Sequence, residues 1–317
     1  MRATGDKSDS NRRTGGRLPG ASGRHAFVLS GPEPSPIPVV LAVPHAGRAY
    51  PQDLIARMRH PDTSGVRLED RLVDKVAELV AHETGAMLLV AEAPRAMIDL
   101  NRAPDDIDWD MLGRKTPSDE PCYTPSRRAR SGLGLVPRRL PGLGEIWKRR
   151  LSEDELRARI SGVHETYHQC LSDVLHRLRA RWGAALLVDV HSMPPLALHG
   201  SSAACEFVLG DRFGASCAGS LVANAFGYLG ERGRLAAHNR PYAGGYVLER
   251  HASPADGIHA MQLEIDRASY LDETLVGPGP GLPGLARLVS GLVRRLASET
   301  AELGRAQDTS RWPEAAE

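Results

Sequence analysis

Two short apolar segments, far apart in the chain, end in the same way. Ile37-Pro-Val-Val-Leu-Ala-Val runs into Pro44-His45, and Ala184-Ala-Leu-Leu-Val-Asp-Val runs into His191. Apolar runs of this length read as strands buried on both faces, which restricts the chain to a sheet with helices packed on either side. In such sheets the ligand crevice lies outside the carboxyl ends of the strands. The two imidazoles are therefore delivered to one rim. Neutral imidazole is the commonest metal ligand, so the pair is a candidate metal site.

The rest of the chain fits this frame. Apolar positions 68, 72, 76, 79 and 80 share one face of a helix predicted over 68–81, Gly85 ends it, and Ala86–Val90 reads as the next strand. A long amphipathic helix is predicted over 153–182, a short strand over Cys205–Leu209, a helix over 214–226 and a last helix over 285–301. In His259–Asp266, Met261, Leu263 and Ile265 share one face, and Gln262, Glu264 and Asp266 the other. Strand alternating with helix predicts an α/β fold. Residues 1–24 hold almost no large apolar side chain and read as a disordered tail. We expect one domain over 25–303 and a C-terminal tail over 304–317. Residues 103–150 are Pro-, Gly- and Arg-rich without a sustained period, the mark of a functional or mobile loop.

Composition excludes several functions. A net charge of +1 over 317 residues gives no global field toward nucleic acid or an anionic membrane. The arginines at 127, 128, 130, 138 and 139 lack the interleaved aromatics of a single-strand binder; they read as solvated or as attracting anions to a site. The four cysteines form no CxxC pair, no apolar signal segment opens the chain, and no run is long enough to cross a membrane. The expected location is cytoplasmic. The oligomeric state is left open.

A catalytic zinc takes three protein ligands and keeps a fourth position open. Asp70, at the start of the predicted helix, is the preferred third ligand, with neighbouring Glu69 as the alternative. Glu264 projects from the polar face of an apolar strand, where a carboxylate is costly unless paired or functional, and is the candidate general base. Arg95-Ala-Met-Ile-Asp-Leu-Asn101-Arg102 suits a substrate carboxylate, which a guanidinium grips as a fork. Pro241-Tyr-Ala-Gly-Gly-Tyr246 offers two hydroxyls on a glycine-hinged turn as a pocket wall or lid. Gly47 allows close approach of backbone to a ligand. Asp189, two residues before His191 on the same side of its strand, is placed to orient a ligand.

These strings resemble the N-formylglutamate amidohydrolase family. The resemblance rests on Val43-Pro-His45-Ala-Gly, Leu68-Glu69-Asp70-Arg-Leu-Val-Asp74, Arg95 to Arg102, Asp189-Val-His191-Ser-Met-Pro, Gly210-Asp-Arg-Phe-Gly, Pro241 to Tyr246 with Glu249-Arg250-His251, and His259-Ala-Met-Gln-Leu-Glu264. They stand in colinear order over about 37–285. The Asp-Leu-Asn-Arg string is also similar to the aspartoacylase relatives of the zinc carboxypeptidases. The resemblance implies a three-layer zinc-peptidase-like (phosphorylase/hydrolase-like) fold with a mixed central sheet flanked by helices. It implies hydrolysis of an N-acyl amino acid such as N-formyl-L-glutamate, with Zn2+ or another divalent metal on His45, His191 and a carboxylate. It makes Glu264 the base and Arg95, Asn101 and Arg102 substrate-binding; Tyr246 and Arg250 are the further substrate-binding candidates. The carboxypeptidase pattern His-x-x-Glu fails, because Arg48 stands third after His45.

Three rivals remain. A two-metal hydrolase of the arginase or deacetylase type needs a second aspartate where Met193 stands. A zinc deacylase or carboxypeptidase with another substrate shares the same ligands. A non-catalytic binding protein of the same fold would bind metal and an amino-acid derivative without turnover.

Overall fold

The computed structural model describes residues 11–114, 126–196 and 205–310. Its strands are β1 (Arg13–Gly15), β2 (Phe27–Ser30), β3 (Val39–Val43), β4 (Met87–Ala91), β5 (Arg139–Leu140), β6 (Gly144–Glu145), β7 (Ala185–Met193), β8 (Phe207–Gly210), β9 (Ala236–His238) and β10 (Ile258–Asp266). Eight of them form one sheet in the order β1-β2-β4-β3-β7-β10-β8-β9, while β5 and β6 make a separate small pair. The central four, β4, β3, β7 and β10, are mutually parallel. β2 and β8 join them antiparallel on either side, so the sheet is mixed.

Helices cover both faces, as the all-buried β3, β7 and β10 require. Val39, Leu41 and Val43 of β3, Leu186 and Val188 of β7, and Met261, Leu263 and Ile265 of β10 belong to the core beneath helices 73–84, 219–231 and 282–310. Val40 and Ala42, Ala185 and Leu187, and Ile258 and Ala260 face the opposite core, beneath helix 165–182. On that second face the period-two alternation carries on into polar residues. After Leu187 come Asp189 and His191, and after Ala260 come Gln262 and Glu264. The register pairs Gln262 with Asp189 and Glu264 with His191. The apolar face thus becomes a polar floor toward the carboxyl ends of the parallel strands.

Several elements differ from expectation. Part of the expected N-terminal tail is ordered: β1 pairs with β2, Leu18 is buried, and the Arg17 N–H donates to the Gly162 carbonyl at 2.8 Å. Composition measures side-chain burial, and here an open sheet edge supplies backbone partners instead. The last helix runs Leu282–Ser310, into the expected C-terminal tail. Gly304 permits this, since a Cβ there would lie 2.0 Å from the Trp182 carbonyl oxygen. The helix expected over 68–81 is two helices, 61–68 and 73–84. Leu72 between them is left-handed at φ 55°, which no α-helix accommodates. Segments 115–125 and 197–204 and the two termini, 1–10 and 311–317, lie outside the described residues.

The irregular region after residue 103 is tied down where it is described. Leu135, Val136, Ile146 and Trp147 are buried in the core. The Leu135 N–H donates to the Asp106 carbonyl at 2.7 Å, and the Leu135 carbonyl accepts from the Asp99 N–H at 2.8 Å.

Candidate active site

His45, Asp70 and His191 converge although they come from three separate parts of the chain. One ligand atom from each lies within 4.8 Å of the others, and all three side chains are buried. The break after helix 61–68 places Asp70, whose N–H donates to the His45 carbonyl at 2.9 Å. Asp70 Oδ2 lies 2.9 Å from His191 Nδ1 and 3.5 Å from His45 Nδ1. The far nitrogens are both taken. His45 Nε2 donates to Asp99 Oδ1 at 2.7 Å, and His191 Nε2 donates to Asp189 Oδ2 at 2.8 Å. Two carboxylates thereby fix both rings with Nδ1 inward. His45 Nδ1 is buried with no hydrogen-bond partner. A buried lone pair left unmatched beside a carboxylate oxygen and a second imidazole is the donor set of a divalent cation, and the carboxylate-backed histidines complete that pattern.

Charge is finely divided around these atoms. Burial alone raises the Asp70 carboxyl, but the two histidines hold it far below the usual range. Burial lowers His191, and Asp189 and Asp70 overcome it, raising the imidazole well above its ordinary value. Asp99 is likewise held well below the carboxylate range, against burial, by Arg95, His45 and Arg102. Glu264 goes the other way. Burial, aided by Asp70 and Asp189, pushes it up to about 7 against His191 and Arg95. Gln262 Nε2 donates to its Oε1 at 2.9 Å. A carboxyl that changes protonation near neutrality beside strongly held acids is the division of labour seen in acid–base catalysis.

These residues floor a cleft of about 280 Å³. His45, Asp70, Arg95, Asn101, Arg102, His191 and Glu264 line it, together with Gln262, Tyr242 and Ser192. Three more arginines, Arg67, Arg128 and Arg267, complete the wall.

A family model described as N-formylglutamate amidohydrolase matches residues 37–271. The chain belongs to the N-formylglutamate amidohydrolase family. It is similar to the N-formylglutamate deformylase of Pseudomonas putida, with 32% identity over 75% of this chain and 83% of that protein. It is also similar to the N-formylglutamate deformylase of Pseudomonas aeruginosa, with 27% identity over 85% and 94%. The crystal structure of N-formylglutamate amidohydrolase from Ralstonia eutropha JMP134 superposes with a TM-score of 0.78 at 32% identity, covering 87% of this chain and 99% of that one.

Against this amidohydrolase frame the sequence candidates sort as follows. Glu69 is buried, but its carboxylate pairs with Arg71 at 2.8 Å and it does not line the cleft. Arg95 grips Asp99 through Nε at 3.0 Å and Nη2 at 2.9 Å. Asn101 Oδ1 accepts from the Val247 N–H at 2.9 Å, so this residue anchors the 241–247 turn as well as facing the cleft. Tyr246 and Arg250 are not in the cleft wall. The Arg250 guanidinium donates to the Tyr246 hydroxyl at 3.0 Å, and the Tyr246 ring packs against His164 and His168. That turn sends Tyr242 into the cleft instead. Gly47 is required by backbone packing, since a Cβ there would lie 2.0 Å from the Ala93 carbonyl oxygen, and it does not line this cleft. Asp99, Gln262, Arg67 and Arg267 have no role in the sequence reading, and Arg128 enters it only among five arginines read as solvated or as attracting anions to a site. Asp99 had a signal, because it sits inside the Asp-Leu-Asn-Arg string. Arg267 immediately follows the strand that carries Glu264. Its guanidinium donates to Ser192 Oγ at 3.0 Å and to the Glu69 carbonyl. Among the described residues, no helix is long and apolar enough to cross a membrane.

Proposed function

We propose that this protein is a zinc-dependent hydrolase that cleaves the amide bond of an N-acyl amino acid, with N-formyl-L-glutamate the first candidate substrate. One observation supports the reading above the others. Two inward Nδ1 atoms and Asp70 Oδ2 converge at the carboxyl ends of β7 and β3, with Glu264 in register beside His191. His45, Asp70 and His191 would hold the metal. A divalent cation there supplies Lewis acidity, which makes water acidic near neutral pH and polarises a carbonyl. Glu264, with its proton exchanging near neutrality, takes a proton from the attacking water and returns it to the leaving nitrogen. Asp99 and Asp189 hold the two imidazoles in the ligating tautomer. Five arginines against two lining carboxylates make the cleft wall cationic, which suits an anionic amino-acid derivative.

The test is metal analysis of the purified protein together with turnover of a panel of N-acyl amino acids that includes N-formyl-L-glutamate. The expected result is about one zinc per chain, from three protein ligands with one open position, and turnover that a chelator abolishes. Metal and ligand binding without turnover of any panel member would sink the catalytic reading and favour a binding protein of the same fold.

A further inference from the structure

The five cleft arginines are not equivalent. Arg95 is committed to Asp99, and Arg267 to Ser192, the Glu69 carbonyl and, at 3.5 Å, Asp70. Arg67 and Arg128 meet no carboxylate among the described residues although both line the same wall, and of the two it is Arg128 whose charge reaches Arg102. Arg102 is only loosely served. Its Nε is buried without a hydrogen-bond partner, and it lies 4.0 Å from an Asp99 oxygen that Arg95 already holds. Burial weakens the Arg102 guanidinium's hold on its proton, and neighbouring Arg128 and Arg95 push the same way against Asp99. Two neighbouring guanidiniums, one sharing an acid that Arg95 already grips and the other meeting none among the described residues, leave repulsion that an incoming anion relieves.

Their place in the cleft says which anion. Arg95 feels the fields of Asp70 and Glu264, and Arg267 touches Asp70, so both stand next to the reacting centre. The charges felt most by Arg102 are Asp99, Arg128, Arg95 and Asp106, none of them a group on the proposed metal or base. Arg128 rises from a short helical turn, 127–130, in the irregular segment. That turn is seated by Ser126, whose Oγ donates to Asp106 Oδ2 at 2.9 Å, and by fully buried Ala129. In an N-acyl amino acid the α-carboxylate shares a carbon with the scissile nitrogen and must stay beside the reacting centre. A side-chain carboxylate lies further out.

Resting on the function proposed above, we infer that Arg128 is a specificity-determining residue which, with Arg102, binds the side-chain carboxylate of an acidic N-acyl amino acid. The probe pair is N-formyl-L-glutamate and N-formyl-L-glutamine, which differ in that carboxylate alone. In Arg128→Gln the ratio of their kcat/KM values is expected to fall about 10- to 100-fold, the loss of a charge-assisted hydrogen bond, with most of the change in KM. Arg128→Lys should recover part of the ratio. An unchanged ratio, including an equal loss on both substrates, overturns the inference. Calorimetric affinities of the metal-loaded protein for L-glutamate and L-glutamine read the same preference without turnover. A protein that hydrolyses no N-acyl amino acid, yet loses its glutamate preference in Arg128→Gln, would overturn the hydrolase reading and leave the Arg128 assignment standing. An affinity ratio that Arg128→Gln leaves unmoved would overturn the assignment in either case.

Discussion

The molecule buries two groups of histidines and treats them in opposite ways. His45 and His191 each give Nε2 to a carboxylate, Asp99 or Asp189, and turn Nδ1 toward Asp70. His164, His168 and His251 lie behind the 95–102 segment, and among the described residues none of them hydrogen-bonds a carboxylate. His164 Nε2 donates to the Arg102 carbonyl at 2.9 Å and His168 Nε2 to the Leu100 carbonyl at 3.0 Å. This leaves His168 Nδ1 to accept from His251 Nε2 at 2.9 Å. Burial, with Arg250 and the neighbouring imidazoles acting in the same direction, lowers His168 well below its ordinary value and His251 to about 3. Similar burial therefore leaves His168 and His251 lowered and His191 raised, because His191 has carboxylate partners that overcome burial. A carboxylate on the far nitrogen makes a strong ligand of the inward nitrogen. A carbonyl makes a neutral brace, and here the brace holds the backbone that carries Asn101 and Arg102.

The largest expected effect separates the two groups directly. His191→Ala should lose bound metal and turnover together, whereas His251→Ala should keep its metal, as read by elemental analysis. If His191→Ala kept both, the distinction would collapse. Next comes Glu264→Gln, which removes the proposed proton carrier and leaves the proposed metal ligands in place. Its kcat should drop by about 10²- to 10⁴-fold with metal content unaltered. Asp99→Asn and Asp189→Asn test the partner rule itself. Each should weaken metal affinity by about 10- to 100-fold in a chelator competition, and wild-type affinity in both would refute the rule.

The smallest effect is on stability. His168 and His251 have lowered folded-state values, so the native protein binds fewer protons than the unfolded chain below the ordinary histidine value of 6.5. Their contribution is present above 6.5 and is lost as pH falls toward their folded values. Urea midpoints should decline from pH 7 to pH 5, and less steeply in His251→Gln. A parallel decline in the variant would mean that other groups carry the slope.

The parts legible in sequence were those governed by period and position. The apolar runs before His45 and His191 placed both imidazoles at the strand ends, and alternation in His259–Asp266 put Glu264 opposite Met261, Leu263 and Ile265. What stayed hidden depends on tertiary partners. Nothing local in Leu-Glu-Asp-Arg-Leu announces a left-handed Leu72, which separates the two helices around Asp70. Tyr242 and Tyr246 looked interchangeable on one turn, and only the packing of Tyr246 against His164 and His168 tells which faces the cleft. Arg128 was one arginine among several in a segment without periodicity, and its direction is set by Ser126, Asp106 and Ala129.

The hydrogen bond from the Asp99 N–H to the Leu135 carbonyl bears on how such an enzyme could be retargeted. Asp99 orients His45 and clamps Arg95, while Leu135 belongs to the segment that presents Arg128. In the proposed enzyme, substrate choice and metal grip would therefore share one strut. Transplanting that segment wholesale from a relative would detune the histidine along with the preference, so a designer would do better to change side chains on the existing backbone than to swap the loop.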